Sequence, residues 1–503
     1  MAERPEPVRD LDWDVTRARD FAGEVAGVWE ELLARLRELP VSRRQTAAEV
    51  REALVRSVPD EPLAHDELLT HLRALVLERS TLTGHPRFLA YISGAGTVPG
   101  AAADLLAAGL NANVGGWFLS PAATEIELAL GRFFAQDVFG LPATAGGHVT
   151  SGGAMANFIA LKAARDRGAP WDARADGLAG GQPLALYLST ETHVVSERAA
   201  DMLGLGRAGA RRLPVDGDYR FDVAALRDAI DRDRAAGIVP VAVVATAGTV
   251  NTGAIDPLEE LADVCAAEGL WLHVDAAYGG PALLADDLRP LFRGIERADS
   301  IAFDPHKWLY TPLSGGFVVV RDLADLAAAF DPADVGYIHQ DKDATGHGVD
   351  IGRLGPQFSR GFAALKIWVS LLAHGRAAYA RRISHDAALA RYLGELVAER
   401  PDFELCAPVG LSITCFRYVP ESLGDRPGRD AYLDRLNERL MTELQADGRV
   451  FCSNAVLDGR FVLRSCIVNF RTEAEDVEAL LDVAAELGGR LDREPRPTVA
   501  VVD

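Results

Sequence analysis

Apolar residues recur at helical spacing over residues 16–38, where Phe21, Val25, Val28, Trp29, Leu32, Leu33 and Leu36 share one side before Pro40 stops the run. Two more helical stretches are predicted at about 46–56 and 66–80. Amphipathic helices with no sheet to cover must find a partner surface. Beyond residue 101 the pattern changes to short apolar runs at 184–188, 239–246, 270–275, 300–303 and 315–320, separated by helical segments. That alternation predicts an α/β fold, with a mainly parallel central sheet and helices on both faces. A helical stretch over 362–374 leads into a smaller α/β region, with an Ala- and Arg-rich helix over 377–390 and strands at 411–418 and 460–469. The chain thus divides into an N-terminal helical arm (1–100), a large α/β domain (101–375), a small C-terminal α/β domain (376–490) and a tail (491–503).

Composition adds exclusions. At 49% hydrophobic and 25% charged, the 503 residues are ordinary for a soluble globular protein. A net charge of -21 with a pI near 5.0 argues against nucleic acid or an anionic membrane as partner, and the basic cluster at 207–212 does not reverse this. The first residues lack the apolar core of a signal peptide, and the longest apolar stretch, around 238–250, is too short to span a bilayer, so a cytoplasmic protein is expected. Five cysteines (Cys265, Cys406, Cys415, Cys452, Cys466) are odd in number and have no CxxC spacing. They fit reduced core thiols, not a disulfide framework or a metal site.

The chemistry concentrates after two apolar strands. Ser300-Ile-Ala-Phe-Asp-Pro-His-Lys-Trp308 hangs a lysine on a tight turn, as a protein does to present an amine to a carbonyl. Leu270-Trp-Leu-His-Val-Asp-Ala-Ala-Tyr-Gly-Gly280 ends a strand in a carboxylate followed by two small residues. Alone, either residue is more often structural: a lysine in a surface ion pair, an aspartate closing a turn. Together, Asp275 and Lys307 match the needs of pyridoxal phosphate, which requires a lysine to hold its aldehyde and an acid to keep its ring nitrogen protonated. Thr150-Ser-Gly-Gly-Ala-Met-Ala-Asn157 opens a helical run at 158–165, and a glycine turn at a helix N-terminus offers free N–H groups to a phosphate. The GxGxxG of a dinucleotide site is missing there. On open α/β sheets ligands sit beyond the carboxyl ends of strands, where His193, Thr246, Asp275 and Lys307 all fall.

From about residue 85 to 370 the chain resembles the group II pyridoxal-dependent amino-acid decarboxylases. The landmarks are His85-Pro-Arg-Phe88, Ser120-Pro-Ala-Ala-Thr-Glu-Ile-Glu127, Thr150-Ser-Gly-Gly-Ala-Met-Ala-Asn157, Glu191-Thr-His193, Ala245-Thr-Ala-Gly-Thr249, His273-Val-Asp-Ala-Ala-Tyr278 and Asp304-Pro-His-Lys-Trp308. The resemblance implies the fold type I pyridoxal-enzyme architecture and a homodimer whose N-terminal arm packs on the other subunit. It implies that Lys307 carries the cofactor with His306 beside it, and that Asp275 bonds the pyridine nitrogen. Ala277 would lie under the ring and His193 would stack on its other face and move protons. Gly153, Ala154 and Ser151 would take the phosphate, Thr246 a ring substituent, and Asn157 would shape the loop. Arg360, in Ser359-Arg-Gly-Phe-Ala-Ala-Leu-Lys366, aligns with the family arginine that holds the substrate carboxylate. Tyr337-Ile-His-Gln-Asp341 resembles the loop whose tyrosine returns a proton to the substrate. Measured from Asp331-Pro332 it sits three residues late for an aromatic decarboxylase, and measured from His339-Gln-Asp341 it fits the glutamate type.

The expected reaction is decarboxylation of an L-amino acid to an amine and CO2. Tyr91, Ile92 and Trp117, with Phe118, suggest an aromatic or bulky apolar side chain, whereas Gly152-Gly153-Ala154 looks like the version in glutamate-type enzymes. An acidic amino-acid decarboxylase and an aldehyde-forming oxidative deaminase remain alternatives on the same scaffold. A non-catalytic pyridoxal-binding protein would need a recognition domain, and none stands out.

Overall fold

The computed structural model describes residues 10–54, 57–332, 348–424 and 427–494. Tyr337 and its expected loop lie outside the described residues. Two sheets organise the chain. Strand β1 (Phe88–Leu89) belongs to the smaller one. The larger contains β2 (Gly146–Thr150), β3 (Leu184–Ser189), β4 (Ala210–Leu213), β5 (Val239–Thr246), β6 (Trp271–Asp275), β7 (Ser300–Phe303) and β8 (Gly316–Val320), in the order β2-β8-β7-β6-β5-β3-β4. Only β8 in this sheet runs against its neighbours.

The continuous apolar runs of the sequence are explained by burial on both faces. Alternate residues of a strand point to opposite sides. Thus Val243 and Ala245 of β5 enter one core with Ile301 and Phe303 of β7, while Ala242 and Val244 enter a second core on the other face with Ala302.

Two strands of this sheet escaped the apolar pattern. In β2, Gly-Gly-His-Val-Thr carries little hydrophobic signal because close packing demands glycine: a Cβ on Gly147 would lie 2.0 Å from the Val318 carbonyl oxygen. On its other side, a Cβ on Gly131 of helix Pro121–Arg132 would lie 2.3 Å from the Gly147 oxygen. Edge strand β4 contains Arg211 and Arg212, whose charges suit an edge that must not pair further. Arg211 is held by Asp233 at 3.0 Å.

The small sheet adds β9 (Phe403–Leu405), β10 (Ile413–Tyr418), β11 (Phe451–Leu457) and β12 (Arg460–Cys466), in the order β1-β11-β12-β10-β9. Residues 88 and 89, expected within the helical arm, join its edge parallel to β11. Leu393, Leu440 and Leu480, from helices Arg376–Glu399, Arg429–Asp447 and Ala474–Arg493, pack with its strands in a third core. At the N-terminus, helix Val15–Arg35 buries no residue within this chain. The chain just beyond it docks through Leu36 and Leu39 against Leu77 and Leu82. All five cysteines are buried and free. Among the described residues no helix is long and apolar enough to cross a membrane.

Candidate active site

The C-terminal ends of β2, β3, β5, β6 and β7 converge on one cleft of about 510 Å³, its open mouth included. Lys307, Asp275, Ala277, His193, Thr246, Gly153, Ala154 and Ile92 all line it. Each position follows from a strand ending there. Thr246 and Asp275 are the last residues of β5 and β6, and Lys307 lies on the turn after β7.

The glycine turn is fixed from behind by a chain of buried polar groups. Asn157 donates through Nδ2 to the Gly153 carbonyl at 2.8 Å, so its Oδ1 must accept from His273 Nε2, also at 2.8 Å. That leaves His273 Nδ1 to accept from the Ser300 hydroxyl at 2.8 Å, while Ser300 accepts from Trp271 Nε1 at 2.7 Å. The donor directions agree along the whole chain with a neutral imidazole, and burial lowers His273 to about 3. Gly153 begins helix Gly153–Gly168, whose first amides lack intrahelical partners.

The lysine turn is equally constrained. The Lys307 amide donates to the Asp304 carbonyl at 3.0 Å, and its Nζ lies 3.0 Å from Asp304 Oδ2. Trp308 stacks on Tyr278 with ring centroids 5.0 Å apart. Its Nε1 donates at 3.0 Å to Asp386 of helix Arg376–Glu399, which also accepts from the Tyr310 hydroxyl at 2.6 Å and pairs with Arg382 at 2.7 Å.

Asp275 is buried, and its Oδ1 accepts the Ala277 amide at 3.0 Å. Desolvation pushes this carboxyl above the usual range, against the pull of Lys307 and the Ala277 amide. His193 caps helix Val194–Met202 at the exposed mouth. Partial desolvation lowers it, Asp275 counteracts and Lys307 adds to the lowering.

The Pyridoxal-dependent decarboxylase conserved domain matches residues 48–419. The chain belongs to this family of decarboxylases. It is 34% identical over 442 residues to an aromatic-L-amino-acid decarboxylase of Bacillus atrophaeus, covering 88% of this chain and 89% of that protein. It is also 34% identical over 416 residues to an L-2,4-diaminobutyrate decarboxylase of Rhizobium meliloti, covering 83% and 80%. A crystal structure of Oryza sativa TDC with PLP and tryptamine shares the fold with a TM-score of 0.89 at 29% identity, over 96% of this chain and 99% of that one. The protein is a pyridoxal-phosphate-dependent amino-acid carboxy-lyase with the fold type I architecture.

The cleft of this decarboxylase fits the cofactor on structural grounds. Buried Asp275 is an anion in search of a cation, and a protonated ring nitrogen is one. Ala277 leaves a flat wall beside it, the helix N-terminus suits a phosphate, and an amine stands between.

Other expected site residues are placed elsewhere. Arg360, expected to receive a substrate carboxylate, is committed to Glu127 at 2.5 Å and to the Val149 carbonyl. It supports β2 from behind and does not line the cleft. Glu127, pushed up by burial and pulled back by Arg360, accepts the Val149 amide at 2.9 Å. Exposed Ser151 opens into a neighbouring cleft alongside Arg360. His306 turns Nδ1 to the Gly315 oxygen at 2.5 Å, away from the cleft. Trp117 bonds Asp350 through its amide at 2.8 Å and Glu125 through its indole at 2.9 Å. Tyr91 is 56% exposed and contributes its carbonyl, not its ring.

That carbonyl leads to a residue the sequence reading missed. Arg464 on β12 is 3% exposed. Its Nη1 donates to Tyr91 O at 3.0 Å and Ser453 Oγ at 3.3 Å, and its Nε to Asn251 O at 3.3 Å. Nη2 has no partner among the described residues. Tyr91 and Asn251 are chain neighbours of the cleft residues Ile92 and Val250, so the guanidinium is bonded to backbone immediately beside the cleft lining. The available signal was an arginine in the predicted apolar strand at 460–469.

Proposed function

We propose that the protein converts an aromatic or bulky apolar L-amino acid to its amine and CO2. The carrying observation is what remains of the cleft wall once the cofactor's partners are assigned. With Asp275, Lys307, Gly153 and Ala154 assigned to the cofactor, His193, Thr246 and Ala277 beside its ring, and Asp304 paired with Lys307, the lining left is Ile92, Val195, Gly248 and Val250 together with Asn157 and Tyr278, whose polar atoms bond within the protein. No charged group among the described lining residues is left to receive a charged substrate side chain, which would be costly to bury unpaired. This favours an apolar substrate over glutamate or diaminobutyrate.

In this reading Lys307 holds the cofactor and releases the product, Asp275 keeps a proton on the ring nitrogen, and Thr246 and the 153–154 turn fix its orientation. Bound pyridoxal phosphate supplies the sink for the electron pair left as CO2 departs. Arg464 holds the substrate carboxylate through its unpartnered Nη2, a task suited to a forked guanidinium; Arg360 also has a buried nitrogen without a partner among the described residues, but it lines the neighbouring cleft, whereas Arg464 bonds Tyr91 and Asn251 beside the cleft residues Ile92 and Val250. His193 at the mouth, or Tyr337, returns the proton to Cα. The working unit is a homodimer: Leu105, Leu106 and Leu110 of helix Val98–Leu110 are 66%, 67% and 66% exposed, with Leu119 also exposed. The buried free thiols suit a reducing, cytoplasmic setting.

A panel of L-amino acids, extended to diaminobutyrate and assayed for CO2, amine and aldehyde, tests the substrate. Tryptophan, tyrosine or phenylalanine should lead, with amine and CO2 in equal amounts. Glutamate or diaminobutyrate in the lead would remove the apolar reading. Aldehyde with ammonia and peroxide in place of amine would make the protein an oxidative deaminase.

The two arginines should separate cleanly. Arg464→Lys keeps charge but loses the fork, so kcat/KM should fall roughly ten- to hundredfold, mainly through KM, alongside about 1–3 kcal/mol of stability lost with the Tyr91, Ser453 and Asn251 bonds, so that KM is the readout that tells the two variants apart. Arg360→Lys should leave KM nearly unchanged and cost about 1–3 kcal/mol of stability through the lost Glu127 and Val149 bonds. The opposite pattern would return Arg360 to the substrate.

A further inference from the structure

We propose that Ser453 is a positioning residue for the decarboxylation: its hydroxyl aims the Arg464 guanidinium, so that Nη2 meets the carboxylate of the amino acid. Ser453 of β11 lies directly opposite Arg464 of β12, and each is 3% exposed. Directly opposed residues of an antiparallel pair share one face of the sheet, with Cβ atoms about 5 Å apart. On its other side Arg464 is paired with Cys415 of β10. The arginine stem thus runs between two small side chains, which leave the direction of the fork to hydrogen bonds.

Three bonds set that direction. Nε donates to the Asn251 carbonyl at 3.3 Å, and Nη1 donates to the Tyr91 carbonyl at 3.0 Å and to Ser453 Oγ at 3.3 Å. With Nε and Nη1 both engaged the planar group cannot rotate, and Nη2, without a partner among the described residues, has one direction left. Two of the three acceptors are backbone carbonyls, so Ser453 supplies the one side chain. Its hydroxyl is fully used: the proton goes to the Arg464 carbonyl at 3.3 Å, and the oxygen accepts from Nη1 and, at 3.2 Å, from the Tyr91 amide. Tyr91 has φ +53°, a left-handed setting that a non-glycine residue keeps at a cost. Ser453 on its amide and Arg464 on its carbonyl hold it there. Ser453 is not among the residues described as lining the cleft, so it acts through the arginine. Without the hydroxyl the fork keeps its charge and gains a second setting, and only part of the molecules are ready for a carboxylate.

The inference rests on Arg464 as the holder of the carboxylate, and the experiment keeps the two apart. The full-length, cofactor-loaded protein is assayed with L-phenylalanine, L-tyrosine and L-tryptophan, and with phenethylamine, tyramine and tryptamine, which lack the carboxylate, as inhibitors. Should none of the three be turned over, the amino acid that heads the panel and its own amine replace them. Ser453→Ala should raise KM about three- to tenfold, the worth of one hydrogen bond, with kcat and the inhibition constant of the amine within about twofold of wild type. Ser453→Thr keeps the hydroxyl and should keep a low KM, whereas Ser453→Val, the same shape without it, should not. That pair reads the hydroxyl even if Ser453→Ala fails to fold. Because Ser453 acts through Arg464, adding Ser453→Ala to Arg464→Lys should leave KM about where Arg464→Lys alone puts it. Equal KM for the threonine and valine variants, an additive double variant, or KM and amine inhibition constants rising together would each overturn the role of Ser453. An unchanged KM in Arg464→Lys would remove the carboxylate assignment and Ser453 with it, whereas a raised KM there beside a normal one in Ser453→Ala would remove Ser453 alone.

Discussion

Borohydride reduction of the loaded protein should fix the cofactor to a peptide containing Lys307, and Lys307→Ala should lower turnover by at least about a thousandfold. The amine stands on a turn held by its own amide bond to Asp304, by the stacking of Trp308 on Tyr278, and by the buried Asp386. Lys162 and Lys366, each paired with an aspartate, are not among the residues lining the cleft. Truncation to alanine removes the covalent anchor and the group that releases product, while the turn keeps its other bonds. Mass spectrometry of the reduced, digested protein reads the result. Label on another lysine, or substantial turnover by the alanine variant, would dismantle the proposed site.

Asp275→Asn should retain cofactor and lose roughly a thousandfold in kcat, about 4 kcal/mol at 1.36 kcal/mol per decade. The buried carboxylate is raised by desolvation and needs a cation to remain charged. A ring nitrogen that keeps its proton meets that need, and the bond stabilises both groups. An amide is nearly the same size and can keep the bond from the Ala277 amide, so the cleft should stay intact. It cannot stabilise a proton on the partner nitrogen. Single-turnover assays with the cofactor spectrum recorded alongside separate lost chemistry from lost binding, and near-normal kcat would show that the wrong carboxylate has been placed at the ring.

The sequence announced those strands whose chemistry is simple. Runs such as Val239–Thr246 are apolar throughout because both faces are buried, and the observed strand has the expected bounds. Strand β2 was hidden because backbone contact with neighbours on both sides demands glycine, which carries no periodic signal. Strand β4 was hidden because its arginines protect an edge. In the cleft, residues at strand ends were legible since topology alone brings those ends together. Arg464 was not, because its surroundings combine residues near 91, 251 and 453. Arg360 was read without its setting for the converse reason: Glu127, its partner 233 residues away, is visible only after folding.

The grip of Asp386 on Trp308 and Tyr310 gives the molecule a built-in linkage. Helix Arg376–Glu399 joins two cores, its C-terminal half (Leu389, Leu393, Val397) packing under the small sheet and its N-terminal half (Tyr379, Ile383, Ala387) in the core of the large one, where its carboxylate bonds the indole next to the working amine, 78 residues earlier in the chain. A shift of the small sheet is therefore carried to Lys307 as a displacement of its turn, instead of being absorbed in a loose joint. Anyone transplanting this lysine turn into another scaffold would have to move that helix with it, because the amine takes its bearings from a helix that also packs under the small sheet.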